Sequence, residues 1–296
     1  MKFLQPLLAL FVLILSVQQC LSQEPDLLKL VDSAKPKKEY IDYAFKSSRV
    51  IMGQSMELIK PGVMDFRILH RFGNVNQGSY QFFGLDQATM RMGFDFGISK
   101  NLMIGIGRST NKKEFDGFFK YRIIHQSVGP GSIPFSLLFV AGTTLQTLHW
   151  ADTSRKNFFS SREAFYYQLI IGSKITEGFS LQFTPTILHR NLVTSSSDPN
   201  DLYAVGAGAR LRLTRRITFN VDYFYRLNPN QNEGTHNPLS VGFDFETGGH
   251  VFQLHFTNAS GMNERAFLTE STNNWAKGEI QFGFNLSRTF QLKKKK

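Results

Sequence analysis

From Ala88 to Ile98 polar and apolar residues alternate: Met90, Met92, Phe94, Phe96 and Ile98 share one parity, and Thr89, Arg91, Gly93, Asp95 and Gly97 the other. Successive side chains of a strand point to opposite faces, so this segment carries charge on one face and apolar groups on the other. The same pattern runs through Met64–Phe72, Leu102–Ser109, Phe115–Ser127, Ile133–Gln146, Ala164–Ser173, Phe179–Arg190, Leu202–Leu213, Ile217–Leu227, Leu239–Glu246, His250–Thr257 and Gly278–Phe290. An earlier extended stretch, Tyr40–Ile59, reads as one long strand or two short ones and stops at the turn signal Lys60-Pro61-Gly62. That gives 13 elements, or 14 if the first stretch divides. The twelve alternating segments run from 8 to 14 residues, around the roughly 9 to 11 that a tilted strand needs to cross a bilayer.

The connections carry a second signal. Short turns at Lys60–Gly62, Ser99–Asn101, Gly129–Ser132, Lys174–Gly178, Thr214–Arg216 and Thr247–Gly249 alternate with links at Gly73–Gln87, Thr147–Glu163, Asn191–Asn200, Asn228–Asn237 and Asn258–Lys277, with Thr110–Glu114 brief among the latter. Short turns at one end and long loops at the other are the habit of membrane barrels, the short ones lying in the periplasm. This parity, with both chain ends in the periplasm and an even strand count, favours 14 strands over 13 and leaves 12 open. The expected fold is therefore an all-β, antiparallel, up-and-down transmembrane barrel.

A soluble β-sandwich also alternates, but it would not segregate long loops to one end. Nor would it place so many charges on one face: Glu57, Asp65, Arg67, Arg71, Arg91, Asp95, Lys120, Arg122, Arg210, Arg212, Asp222, Arg226, Asp244, Glu246 and Glu279. These suit a polar lumen, while Phe94, Phe96, Phe119, Tyr121, Leu169, Ile171, Phe243 and Phe256 suit lipid.

Composition narrows the class. Residues 1–22 have the form of a cleaved export leader, with Lys2, an apolar run Leu7–Val17 and the site Cys20-Leu21-Ser22. Residues 23–39 then form a periplasmic segment with a short apolar patch at Leu27–Val31, residues 40–292 the barrel, and residues 293–296 a basic tail. No stretch approaches the roughly 18 consecutive apolar residues of a spanning helix. Cleavage after Ser22 removes the single cysteine, and with it disulfides and thiolate chemistry. The net charge of +11 is scattered along strands or lies in the lysine tail, not in a stripe with stacking aromatics, so nucleic-acid binding is not expected. The seven histidines show no metal spacing, and no local motif marks a nucleophile. We expect no catalysis, no metal and no cofactor. The Gly105-Ile106-Gly107 run sits inside a strand and is no phosphate loop.

Eight of the fifteen lumen charges are cations and seven are anions. Burying an unpaired charge is costly, so these groups either pair with one another or face water. Pairing gives a filled, non-conducting barrel for docking or structure; hydration gives a pore. Because a barrel of 12 to 14 strands has more room than the roughly 8-stranded kind that side chains fill, a channel or uptake role for a small hydrophilic or amphipathic solute is preferred. An outer-membrane hydrolase is the remaining alternative. Expected partners are outer-membrane lipid, the assembly machinery that inserts barrels, and the solute.

Several stretches carry a family resemblance: Phe45-Lys46-Ser47-Ser48-Arg49-Val50-Ile51, Asp65-Phe66-Arg67-Ile68-Leu69-His70-Arg71-Phe72-Gly73, Phe83-Gly84-Leu85-Asp86-Gln87-Ala88, Gly105-Ile106-Gly107-Arg108-Ser109, Asp116-Gly117-Phe118-Phe119-Lys120-Tyr121 and Glu270-Ser271-Thr272-Asn273-Asn274-Trp275. Together they resemble a β-barrel family of Bacteroidota catalogued as a domain of unknown function. The resemblance implies residence in the outer membrane of a Gram-negative bacterium, and it supplies no activity and no catalytic residues. Asp86 and Arg108 read as packing or loop-anchoring residues ahead of solute ligands. Glu270–Trp275, in the longest outer loop, reads either as an inward constriction or as a loop cap held by Trp275.

Overall fold

A computed structural model of the chain describes residues 37–193, 198–229 and 234–292. The leader at 1–22, the apolar patch at Leu27–Val31 and the basic tail at 293–296 lie outside the described residues. The described residues divide into two compact units, residues 37–39 with 128–132, and the rest from residue 40 onward. In the first, Ser132 N–H donates to the Gly129 carbonyl at 3.2 Å in a tight turn. The second is the barrel.

Among its described residues, 12 strands close into a ring. In chain order they are β1 (Val63–Asn74), β2 (Ala88–Gly97), β3 (Leu102–Ser109), β4 (Phe115–Ile124), β5 (Ser136–Leu145), β6 (Glu163–Lys174), β7 (Phe179–Arg190), β8 (Asp201–Arg212), β9 (Ile217–Arg226), β10 (Leu239–Thr247), β11 (His250–Thr257) and β12 (Gln281–Gln291). Each pairs antiparallel with its sequence neighbours, and β12 returns to β1 with Leu286 opposite Ile68 and Gly283 opposite Arg71. Closure leaves no sheet edge to satisfy, the requirement for a strand protein in lipid. In β2 the alternation becomes geometry: Arg91, Gly93, Asp95 and Gly97 are buried inward, while Met92 and Phe94 are exposed. Across the outer face aromatic rings meet between strands, as with Phe66 and Phe94 at 5.2 Å and Phe256 and Phe282 at 5.6 Å. Such pairs add about 0.5–1.5 kcal/mol each beyond burial.

The favoured count of 14 is corrected to 12, because Tyr40–Ile59 does not enter the wall. The reason is legible in its residues. One parity holds Phe45, Ser47, Arg49, Ile51 and Gly53, the other Lys46, Ser48, Val50, Met52 and Gln54. Neither set is apolar throughout, so neither can face lipid. Instead the stretch folds back on itself inside the barrel, with an isolated bridge between Arg49 and Gln54.

The core lies in the lumen. Phe45, Ile51, Met52 and Met56 of this hairpin cluster with inward residues of the wall, among them Met103, Phe118, Tyr166, Ile170 and Phe224. The wall's inner face is thus mixed rather than uniformly polar, and its apolar part is packed as in a soluble domain.

Candidate functional site: an occluded lumen

A ring of 12 strands encloses more space than its own side chains fill, so water or chain must occupy it. Here chain does, from both ends. Every residue from Ser48 to Met56 and from Gly261 to Thr269 is buried.

The hairpin enters from the short-turn end. Arg210 Nη1 donates to the Tyr43 carbonyl at 3.0 Å, and Glu57 Oε1 accepts the N–H groups of Ala44 and Phe45 at 2.6 and 3.3 Å. The tip closes with Val50 N–H donating to the Gly53 carbonyl at 2.9 Å. Removed from the sheet ladder, these peptide groups still need partners, and wall side chains supply them. Asp222 Oδ2 accepts three successive N–H groups, those of Ile51, Met52 and Gly53, at 3.3, 2.8 and 2.8 Å. Consecutive backbone N–H groups of this kind make a concavity suited to an anion. Lys120 Nζ donates to the carbonyls of Ser48, Ser55 and Glu57 at 2.9, 3.1 and 3.1 Å. Gln182 grips both ways, donating to the Gln54 carbonyl at 2.7 Å and accepting Met56 N–H at 3.0 Å. Gln253, Asn285 and Arg122 hold the carbonyls of Val50, Ile51 and Met56 at 2.6, 3.0 and 3.3 Å. Glycine at 53 is required by space, since a Cβ there would stand 2.6 Å from the Phe224 ring.

From the long-loop end, the β11–β12 connection turns inward and forms α1 (Glu264–Thr269). Asn263 caps it, Oδ1 accepting Ala266 N–H at 2.9 Å. Arg265 is clamped to Glu114, with Nη2 2.9 Å from Oε2, and also reaches Glu270, which Lys112 approaches at 2.7 Å. Burial alone would raise the Glu270 carboxyl, but Arg265 and Lys112 outweigh it and hold the group below its usual range. Phe267 packs on Phe224 with ring centroids 4.9 Å apart, and Arg226 donates to the Leu268 carbonyl at 3.3 Å.

The two segments meet in mid-lumen. Arg49 Nη1 of the hairpin donates to Glu264 Oε1 of α1 at 3.1 Å, both side chains almost fully buried, and Gln54 joins the same oxygen at 3.3 Å. On either side of this septum a cup remains. The outer one, about 660 Å³, is lined by Lys112, Arg162, Arg190 and Arg265 with Glu163 and Glu270. The inner one, about 300 Å³, is lined by Tyr43, Lys46, Glu57, Asp65 and Glu246. Desolvation raises the carboxyl of Glu57, with Arg122 opposing the rise.

The charged residues named from the sequence fall into distinct groups. Asp65, Arg67 and Asp95 form one cluster with Ser48, Arg67 lying 2.6 Å from Asp65 and 3.8 Å from Asp95. Arg91 makes a two-pronged pair with Asp116 at 2.7 and 2.5 Å. Lys120, Arg122, Arg210 and Asp222 bind the hairpin, Arg226 binds α1, and Asp244 accepts from Gln253 at 2.5 Å. Arg71 is fully buried in the wall.

Four placements depart from the expected wall-lining position. Glu57 belongs to the hairpin rather than a strand. Glu279 lies ahead of β12, accepting Asn274 N–H at 2.8 Å. Arg212 and Glu246 sit at the short-turn rim, Arg212 exposed beside Glu177 at 3.6 Å and Glu246 paired with Lys46. Asp86 is exposed in its loop, and Arg108 is exposed on the outward face over the Phe115 ring at 5.5 Å. Trp275 Nε1 donates to the Leu239 carbonyl at 3.1 Å, an anchor for the loop whose preceding residues turn inward. Sequence reasoning missed Arg49, Glu114, Asp116, Glu264 and Arg265. Only Asp116 had a direct signal, sharing the parity of Lys120 and Arg122.

Over residues 45–290 the chain matches the family described as "Membrane bound beta barrel domain (DUF5777)". Among solved structures it is similar to the NanC porin, at 7% identity and a TM-score of 0.47, over 77% of this chain and 100% of that one. A Salmonella typhi OmpF in complex with daunomycin gives 7% and 0.39, covering 77% and 97%. The CymD monoaromatic hydrocarbon channel gives 9% and 0.38, covering 79% and 90%. No curated protein sequence matches.

Proposed function

The chain belongs to the family of membrane-bound β-barrel domains, and from that premise we propose a channel or uptake protein of a Gram-negative outer membrane, shut by its own hairpin and inward helix. The observation that carries this reading is that the stopper is separate from the wall. Among the described residues the hairpin and α1 make no strand pairing with the ring, and side-chain clamps hold the hairpin's peptide groups. Withdrawing them would leave the closed ring intact and a hydrated lumen. A small hydrophilic or amphipathic solute would first meet the outer cup, where cations and carboxylates stand together.

In a planar bilayer, the wild-type protein is expected to be closed with rare stepwise openings, and a variant lacking residues 44–56 to conduct steadily. A flat trace from that variant, folded by the criterion of heat-modifiable mobility, sinks the channel reading. It would leave a non-conducting barrel for docking or structure, a second reading favoured by the packed apolar cluster in the lumen. Bilayer lipid and the assembly machinery are the proposed partners in either case. No catalysis is proposed; phospholipid turnover abolished by replacing a single histidine would reverse this.

A further inference from the structure

We infer that the wall holds a site for a small monovalent anion between Arg71 and His255, toward the long-loop end. One cross-strand row contains Gly242, His255, Gly283 and Arg71, register partners on β10, β11, β12 and β1, all buried. Large donors thus alternate with glycines. A Cβ at Gly283 would stand 2.6 Å from His255 Nε2 and 2.9 Å from Arg71 Cδ, so the two side chains converge over the space this glycine leaves.

Their hydrogen bonding is incomplete. Arg71 Nη1 donates to the His70 carbonyl at 2.9 Å and to Asn285 Oδ1 at 3.0 Å. Its Nε and Nη2, and Nε2 of His255, have no partner among the described residues. Arg67, Arg91 and Arg265 each reach a carboxylate, whereas Arg71, 0% exposed, has no ion pair among the described residues. A buried guanidinium without a counter-charge is strongly unfavourable. Nε and one Nη form the edge by which a guanidinium grips an anion side-on, and an imidazole Nε2–H adds a third donor. With His255 only 1% exposed, the anion inferred is a small one, a halide or a single small carboxylate.

The test uses the full chain in detergent. Crystals grown in bromide are expected to show anomalous density between Arg71 and His255. At an anion concentration about tenfold above its Kd, the unfolding equilibrium constant should fall about tenfold relative to bulky gluconate at equal ionic strength. Arg71→Gln should abolish that dependence. Parallel runs in bromide and formate separate a halide from a carboxylate as the ligand. The bromide density, or an anion dependence that R71Q removes, supports the site. Absence of density together with equal wild-type stability in bromide, formate and gluconate overturns it.

Discussion

On the proposed channel reading, Asp222→Ala is the sharpest perturbation of hairpin docking. The side chain holds the hairpin tip through N–H groups at 2.8, 2.8 and 3.3 Å, and its carboxylate is buried. Bonds to a charged acceptor contribute about 1.5–3 kcal/mol each, so the two short ones give about 3–6 kcal/mol. Removing the carboxylate also relieves its own desolvation, an opposing effect that leaves a net loss of about 2–4 kcal/mol in hairpin docking. At about 1.4 kcal/mol per factor of ten, the open population should rise roughly 30- to 700-fold. Single-channel recording reads this directly as open probability, with heat-modifiable mobility as the control for an intact barrel. Asp222→Asn, which keeps one acceptor oxygen but no charge, should fall between. A folded D222A protein whose openings are as rare as those of the wild type would refute the hairpin as the gate.

Three further outcomes follow from the clamps. Breaking one partner of the Arg49–Glu264 pair leaves a buried charge alone, so Arg49→Met or Glu264→Leu should each raise opening through a loss of about 3–5 kcal/mol, while the double variant recovers most of it; additive effects in a double-mutant cycle would count against the septum. Glu57, raised by burial, favours docking below its usual 4.5 and loses that contribution as pH rises through its elevated value, so Glu57→Gln should flatten the rise in opening between acid and neutral pH. Glu270, lowered by Arg265 and Lys112 against its burial, contributes above 4.5 and loses its effect as pH falls through its depressed value; Glu270→Gln should loosen the outer loop by roughly 1–2 kcal/mol at neutral pH, read as faster amide exchange in Glu264–Thr269.

The wall was legible because lipid imposes one rule at every second residue, and β2 obeys it from Met90 to Phe96. What periodicity supplies is a face, not a height, which is why Arg212 and Glu246 share the inward parity yet sit at the rim. For Tyr40–Ile59 the signal was present but negative, since mixed composition on both parities forbids a lipid face. Its place in the lumen depends on partners scattered over β4, β7, β8, β9, β11 and β12, which no local window contains. The Arg71–His255 row depends on ring closure, because the register of β12 on β1 joins residues more than 200 positions apart.

The near balance of lumen charge therefore had a third explanation besides pore and salt-bridged ring. Arg91 and Asp116 pair with each other, but Lys120 is bound to carbonyls and Asp222 to N–H groups, so their charges are met by peptide dipoles. This makes a separable prediction. Exchanging partners as Arg91→Asp with Asp116→Arg keeps opposite charges face to face and should largely preserve closure. Exchanging Lys120→Asp with Asp222→Lys preserves the lumen's net charge equally well but turns an acceptor toward carbonyls and a cation toward N–H groups. That protein should lose its clamps at both places and open far more often in a planar bilayer. Equal behaviour of the two exchanges would mean that net lumen charge, not the hairpin backbone, is what these side chains serve.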